Sequence, residues 1–373
     1  VESAPILCTV VEGEGENARF VPITSAKDWP VLSIEYLPDN QSKELNQHAK
    51  LLMNQQIRSL QEGGKDAHRK SLRFSILKSE KKIALVMVTP HHFLDGVGIA
   101  TFIAKFIMLC ILPKFLWNFA ILRKCPKEMP TFLEMPFKKS FNNIKDRLIP
   151  NLEMRTPYNY FFPEHDFTDP KAPNKLKGIN GMLSISSSQI VNKVRAALRK
   201  EGLSISIAFS ALAVKLLAVL LKKYNANPQN KKITSSTGTD MRQFSNWGYN
   251  RDRKTRQQFP IEGNFTCKQN YTFEFEQALK MSFIMMAKEI KQDMERLHHD
   301  EAYRIDRVLN QWNEPVMVYP GVSSVLAPKV AGEFLLRNIA LESTIDFGPV
   351  PRVWFYVLTS EGGTSLKADI ALP

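Results

Sequence analysis

The run Ile83-Ala84-Leu85-Val86-Met87-Val88 is apolar on both faces of an extended chain. Such a strand needs cover on both sides, which suits a central strand in a layered α/β architecture and excludes a one-sided surface hairpin. Its neighbours fit that setting. Residues 72–77 read as a partner strand, residues 42–61 as a polar helix, and residues 6–11 as a first strand followed by a loop with Gly13 and Gly15. A strand of this kind is expected to deliver the residues after Thr89 into the interior.

Farther along, residues 138–177 are rich in Pro, Asn and charge, with Pro150, Pro157, Pro163, Pro170 and Pro173 opposing regular structure. An inter-lobe crossover is expected there, giving an N-terminal lobe over 1–177 and a C-terminal lobe over 178–373. The second lobe opens with a strand at 181–185. Ser186-Ser187-Ser188 offers an N-cap to a helix over 189–199, and an apolar helix follows over 204–223. A strand at 233–238, one long amphipathic helix over 275–298, and a hairpin of 353–358 with 366–370 complete the order. Two α/β lobes with mixed sheets accommodate it.

The chain has 373 residues, enough for two lobes that each bury a core. Its four cysteines, Cys8, Cys110, Cys125 and Cys267, form no C-x-x-C pair and no Cys/His cluster at zinc spacing, so no metal is expected and a reducing, cytoplasmic setting is the default. No signal peptide is visible at residues 1–11. The balance of 50 Lys+Arg against 37 Asp+Glu gives +13, but the basic residues are scattered and no nucleic-acid-binding motif accompanies them. A basic surface would equally favour a small polyanionic ligand, for instance a cofactor bearing several phosphates. From Val97 to Leu122 the chain is strongly apolar, yet Lys105, Pro113 and Lys114 interrupt it too soon for a membrane span. Two readings stay open for this stretch: a core helix plus a buried loop, or a peripheral membrane contact in which Lys105 and Lys114 flank the apolar residues.

The chemistry concentrates at Thr89-Pro90-His91-His92-Phe93-Leu94-Asp95-Gly96, a His-x-x-x-Asp-Gly pattern directly after the apolar strand. A general base needs a neutral imidazole at the proton it removes, and histidine titrates near neutral pH. Asp95, followed by Gly96 for a tight turn, is placed to shape the loop by pairing with a cation rather than to touch substrate. A plain loop histidine is the alternative. His298-His299 read as exposed residues complementing a helix C-terminus.

Further segments stand in order along the chain: Thr239-Asp240-Met241-Arg242, then Gly263-Asn264, then Val322-Ser323-Ser324, then Asp346-Phe347-Gly348. Together with His91, Asp95 and Gly96 they resemble the CoA-dependent acyltransferase superfamily, which includes the BAHD acyltransferases, the alcohol acyltransferases and the condensation domains of peptide synthetases. His91, four residues before Asp95, matches the family's catalytic histidine. Pro349 and Val350 depart from the BAHD Asp-Phe-Gly-Trp-Gly pattern. Members carry additional chain at both ends, so the resemblance implies a truncated member.

The resemblance implies two chloramphenicol-acetyltransferase-like lobes around a channel where acyl-CoA meets a small alcohol or amine acceptor at His91. It implies direct transfer without an acyl-enzyme and without a permanently bound cofactor. Arg242 beside Asp240 reads either as a surface pair or as the salt-bridge partner of Asp95; the order of the motifs favours the second. Ser323 and Ser324 are candidates for oxyanion stabilisation, with Asn264, Asp346 and Gly348 as supporting positions. The active site forms within one chain and needs no dimer. Two rivals remain: a condensation-type enzyme taking its acyl group from a carrier protein, and a catalytically silent protein of the same fold that binds lipid or a partner.

Overall fold

The computed structural model describes residues 5–13, 19–25, 30–37, 44–62, 72–80, 82–111, 183–185, 188–223, 232–244, 249–251, 258–260, 262–300, 302–304, 307, 319–326, 352–360 and 363–371. The chain divides into two compact units. The first comprises Val1–Thr131 with Trp247–Phe265, the second Phe132–Asn246 with Thr266–Pro373.

In the first unit, a 3-10 turn at Pro5–Cys8 precedes β1 (Thr9–Glu12), which pairs antiparallel with β2 (Arg19–Pro22). The strand expected at 6–11 is therefore shifted, because Pro5 opens a turn whose carbonyl at Ile6 accepts the Thr9 hydroxyl. β3 (Val31–Tyr36) runs parallel to β4 (Arg73–Lys78), and β4 antiparallel to β5 (Ile83–Val88), in the order β3-β4-β5. The doubly apolar strand is covered on both sides as expected. Val86 and Val88 pack with Leu45 and Leu60 of α1 (Leu45–Glu62), while Leu85 and Met87 pack against the cluster of Ile6, Leu7, Phe74, Phe93 and Leu94. It is not central, however: among the described residues it pairs only with β4, and Ile83 at its start is exposed. The helix α2 (Gly96–Ile111) follows, and the short hairpin β8 (Tyr249–Arg251) with β9 (Gln258–Pro260) belongs to this unit.

The second unit contains β6 (Leu183–Ile185), α3 (Ser188–Lys200), α4 (Ile205–Lys223), β7 (Lys232–Asp240), β10 (Thr266–Glu274), α5 (Phe275–Lys280), α6 (Phe283–His299), β11 (Tyr319–Leu326), β12 (Arg352–Ser360) and β13 (Gly363–Ala371). Its mixed sheet has the order β10-β7-β11-β12-β13-β6, with β11 parallel to both β7 and β12 and the other pairs antiparallel. α4 is long and apolar enough to cross a membrane by composition, yet it packs on β7, β11, β12 and α6, with Ala211, Val214, Leu217 and Ala218 fully buried. Burying each such leucine or valine contributes about 1.5–3 kcal/mol.

The single helix expected over 275–298 is two. Met281 and Ser282 leave helical geometry, and the Ser282 hydroxyl caps α6 by accepting the Met285 N–H at 3.2 Å. The carbonyls left at the end of α5 are met by one cation: Lys215 Nζ donates to Ala278, Leu279 and Met281 oxygens at 3.0, 2.6 and 2.9 Å. That contact explains a lysine in the middle of an otherwise apolar helix.

Candidate active site

The candidate site is built on the turn between β5 and α2. His91, His92 and Phe93 form the turn, closed by the Phe93 N–H donating to the Pro90 carbonyl at 3.1 Å. Phe93 and Leu94 drive into the core of the first unit, fully buried, and so fix the turn by burial. The two histidines face outward. His91 is exposed, which corrects the expectation that the strand carries its ring into the interior, and among the described residues its imidazole has no hydrogen-bond partner. The His92 ring lies against Phe93 and Phe20, with centroids 4.5 and 6.3 Å away.

Asp95 is the fixed point beneath them, only 1% exposed. It is the N-cap of α2: its Oδ1 accepts the Gly98 N–H at 2.7 Å, and its carbonyl accepts the Ile99 N–H at 2.9 Å. A carboxylate at a helix N-terminus is also favoured by the helix dipole. Its second oxygen, Oδ2, accepts the Phe265 N–H at 2.8 Å, and its own N–H donates to the Gly263 carbonyl at 3.3 Å. The Asp95 carboxylate is thus held by two backbone amides, one three residues on at Gly98 and one 170 positions away at Phe265, where a cation was expected. Gly96 supplies the first residue of the helix.

The strip 262–265 was only partly visible beforehand, through the Gly263-Asn264 pair. Gly263 has φ 149°, a conformation that favours glycine. Opposite it, a Cβ added at Gly98 would meet the Gly263 carbonyl oxygen at 2.7 Å, so the two backbones approach as closely as only glycine permits. The repeated glycine in Gly96-Val97-Gly98 is the sequence signal for that approach. Asn264 between the two anchored residues is exposed.

One turn-pair farther along α2, Lys105 and Glu262 form a buried ion pair. The Lys105 Nζ donates to Oε2 at 2.8 Å and lies 2.7 Å from Oε1, with side chains 8% and 1% exposed. This corrects the reading of Lys105 as a cation flanking a membrane-facing helix. Residues 112–122 of that stretch lie outside the described residues.

In the second unit, Asp240 ends β7 opposite Thr266, and its Oδ1 accepts both the Arg242 backbone N–H at 3.0 Å and the guanidinium at 3.1 Å. Arg242 is completely buried, so this is not a surface pair. The Asp95–Arg242 bridge remains an expectation. Ser323 and Ser324 stand on β11 in register with Tyr356 and Val357, and Asp346 and Gly348 lie outside the described residues. His298 and His299 are exposed at the end of α6; burial, then His299 and Arg304, hold the His298 imidazole below its ordinary value, opposite to the effect of a helix C-terminus. Among the described residues no three His, Cys, Asp or Glu side chains gather at metal-binding distance.

No protein-family model and no curated protein sequence matches the chain. Solved structures do. The epimerization domain from the third module of tyrocidine synthetase B is similar over 99% of this chain and 80% of its own, at a TM-score of 0.51 and 13% identity. Polyketide synthase associated protein 5 from Mycobacterium tuberculosis is similar over 100% and 83%, at 0.51 and 13%. TRI101 of F. sporotrichioides, solved with Coenzyme A and T-2, is similar over 99% and 84%, at 0.50 and 12%. Two α/β units with mixed sheets, covering nearly the whole chain, are thus the fold that this protein has in common with all three.

Proposed function

We propose that the protein is an acyltransferase moving an acyl group from acyl-CoA to the hydroxyl or amine of a small acceptor, with His91 as general base. The observation that carries this reading is an exposed His91 imidazole, without a hydrogen-bond partner among the described residues, on a turn tied beneath it by the buried Asp95 carboxylate to the Gly98 and Phe265 amides. A base must reach its proton donor in one orientation, and a turn clamped at Phe93, Leu94 and Asp95 supplies that orientation without using the imidazole itself. The fold in common with TRI101, a protein solved with Coenzyme A, supports the donor class.

In the proposed reaction His91 takes the acceptor proton as the acceptor oxygen or nitrogen attacks the thioester carbonyl. The new C–O or C–N bond forms, the C–S bond breaks as the tetrahedral intermediate collapses, and the imidazolium returns its proton to the leaving thiolate, so that CoA departs as free thiol. Ser323, Ser324 and Asn264 are the positions proposed to meet the oxyanion, and Arg242 the position proposed to face Asp95 from the second unit. The net charge of +13 attracts CoA phosphates and an acidic carrier protein alike and does not separate the two donors.

A second reading takes the acyl group from a carrier protein; the fold in common with the epimerization domain of tyrocidine synthetase B, one domain of a larger synthetase, is what prompts it. Free-thiol release from acetyl-, medium-chain and long-chain acyl-CoA, with and without alcohols and amines, separates the two. Acceptor-dependent release that falls at least about 10²-fold in His91→Ala, with the variant still folded, is the expected result. No release by the folded wild type, but transfer from an acylated carrier domain, would replace the first reading with the second.

A further inference from the structure

We infer that Lys105 and Glu262 are positioning residues for the His91 turn: their buried ion pair sets the register of residues 262–265 along α2 and thereby the orientation that Asp95 imposes on the turn. The mechanical part of this inference stands on geometry alone, and its catalytic consequence rests on the acyl-transfer reading.

Gly98 and Lys105 are seven residues apart on α2, hence two turns apart on the same face. The strip 262–265 is attached to that face at both positions. At the helix start, Gly263 and Phe265 bond to Asp95, and the Gly263 backbone lies against Gly98. Beside that contact the Glu262 carboxylate meets the ammonium of Lys105, whose backbone stands about 10 Å farther along the axis. Attachments gathered at one residue leave the strip free to pivot about Asp95, whereas a second attachment two turns away does not. The pair is also chemically costly, because α2 is otherwise apolar and an ammonium and a carboxylate must both be desolvated there. Two methionines would fill similar space without that cost and without direction. A buried ion pair in such a place acts through register rather than stability.

The test compares wild type with Lys105→Met, Glu262→Met, the double Met variant and the charge-swapped Lys105→Glu/Glu262→Lys. Three quantities are measured for each: the urea midpoint, hydrogen exchange in peptides spanning 95–98 and 262–265, and kcat and KM for acyl-CoA thiol release. The single variants are expected to lose stability by stranding a buried charge. The double Met variant is expected to regain the wild-type midpoint, while its exchange at those peptides runs at least about tenfold faster and its kcat falls about tenfold or more at nearly constant KM. The charge swap should recover part of the protection. A double Met variant with wild-type exchange and wild-type kcat would overturn the inference, as would a charge swap that folds but is no better protected than the single variants. If wild type shows no His91-dependent thiol release, the acyl-transfer reading fails and the exchange rates alone decide the positioning role.

Discussion

Asp95 carries two duties with one carboxylate, capping α2 through Oδ1 and holding the Phe265 amide through Oδ2. Asp95→Asn keeps the shape but turns one acceptor into a donor, so either the Gly98 or the Phe265 N–H must face an NH2 group inside the protein. A loss on the order of 1–3 kcal/mol in urea-derived stability is expected, together with lower turnover. At this scale the sequence was half legible. His-x-x-x-Asp-Gly pointed to a turn after the apolar strand, and the structure has one at His91–Phe93, because the pattern is local. The partner of Asp95 could not be read the same way, since Phe265 stands 170 positions away and contributes a backbone N–H that every non-proline residue owns. The choice between the two readings of Lys105 was closed to the sequence for a related reason: an isolated lysine in an apolar run looks like a boundary until its carboxylate, 157 positions away, is seen.

Elements were legible where periodicity was long and unopposed. The strands β4, β5, β12 and β13 and the helices α1 and α4 stand within a few residues of their expected places. The segment 275–298 failed because apolar periodicity continues across Met281 and Ser282, which hid the one local signal of a break, Ser282 as the N-cap of α6. At the same break Lys215 gathers three carbonyls at the end of α5. Lys215→Met should therefore cost about 1–3 kcal/mol, the worth of charge-assisted bonds at a partly buried site. A lowered urea midpoint with an unchanged m-value is the expected signature; an unchanged midpoint would mean that α5 ends where it does without help.

The molecule as a whole holds several protons more tightly folded than unfolded. Burial pushes the Cys267 thiol from 9.0 up to about 12 against the opposing pull of Arg307. Burial, then the Asp293 charge, raises the Tyr271 hydroxyl well above 10.0, and burial with a hydrogen bond to Asp293 raises Tyr303 to about 12. All three favour the protonated state, so their contribution is fully present below the unfolded values of 9.0 to 10.0 and is lost as pH rises toward 12. Thermal unfolding followed from pH 8 to 11 should show a falling Tm. Tyr271→Phe should flatten that slope without loss at neutral pH, because the Tyr271 hydroxyl has no protein partner among the described residues. The two-lobe α/β plan itself was legible from the order of weak motifs. The membership of Trp247–Phe265 in the first unit was not, because its basic run from Arg251 to Arg256 reads as a solvated loop and carries no sign of which unit the segment joins.

That membership sets a timetable for biosynthesis. Domains generally fold from the N-terminus as the ribosome releases them, yet the carboxylate of Asp95 waits for an amide at position 265 of 373. Until then Asp95 Oδ2 lacks the Phe265 amide and Lys105 lacks its carboxylate, so the contacts beneath the turn that bears His91 are complete only after most of the polypeptide has been made.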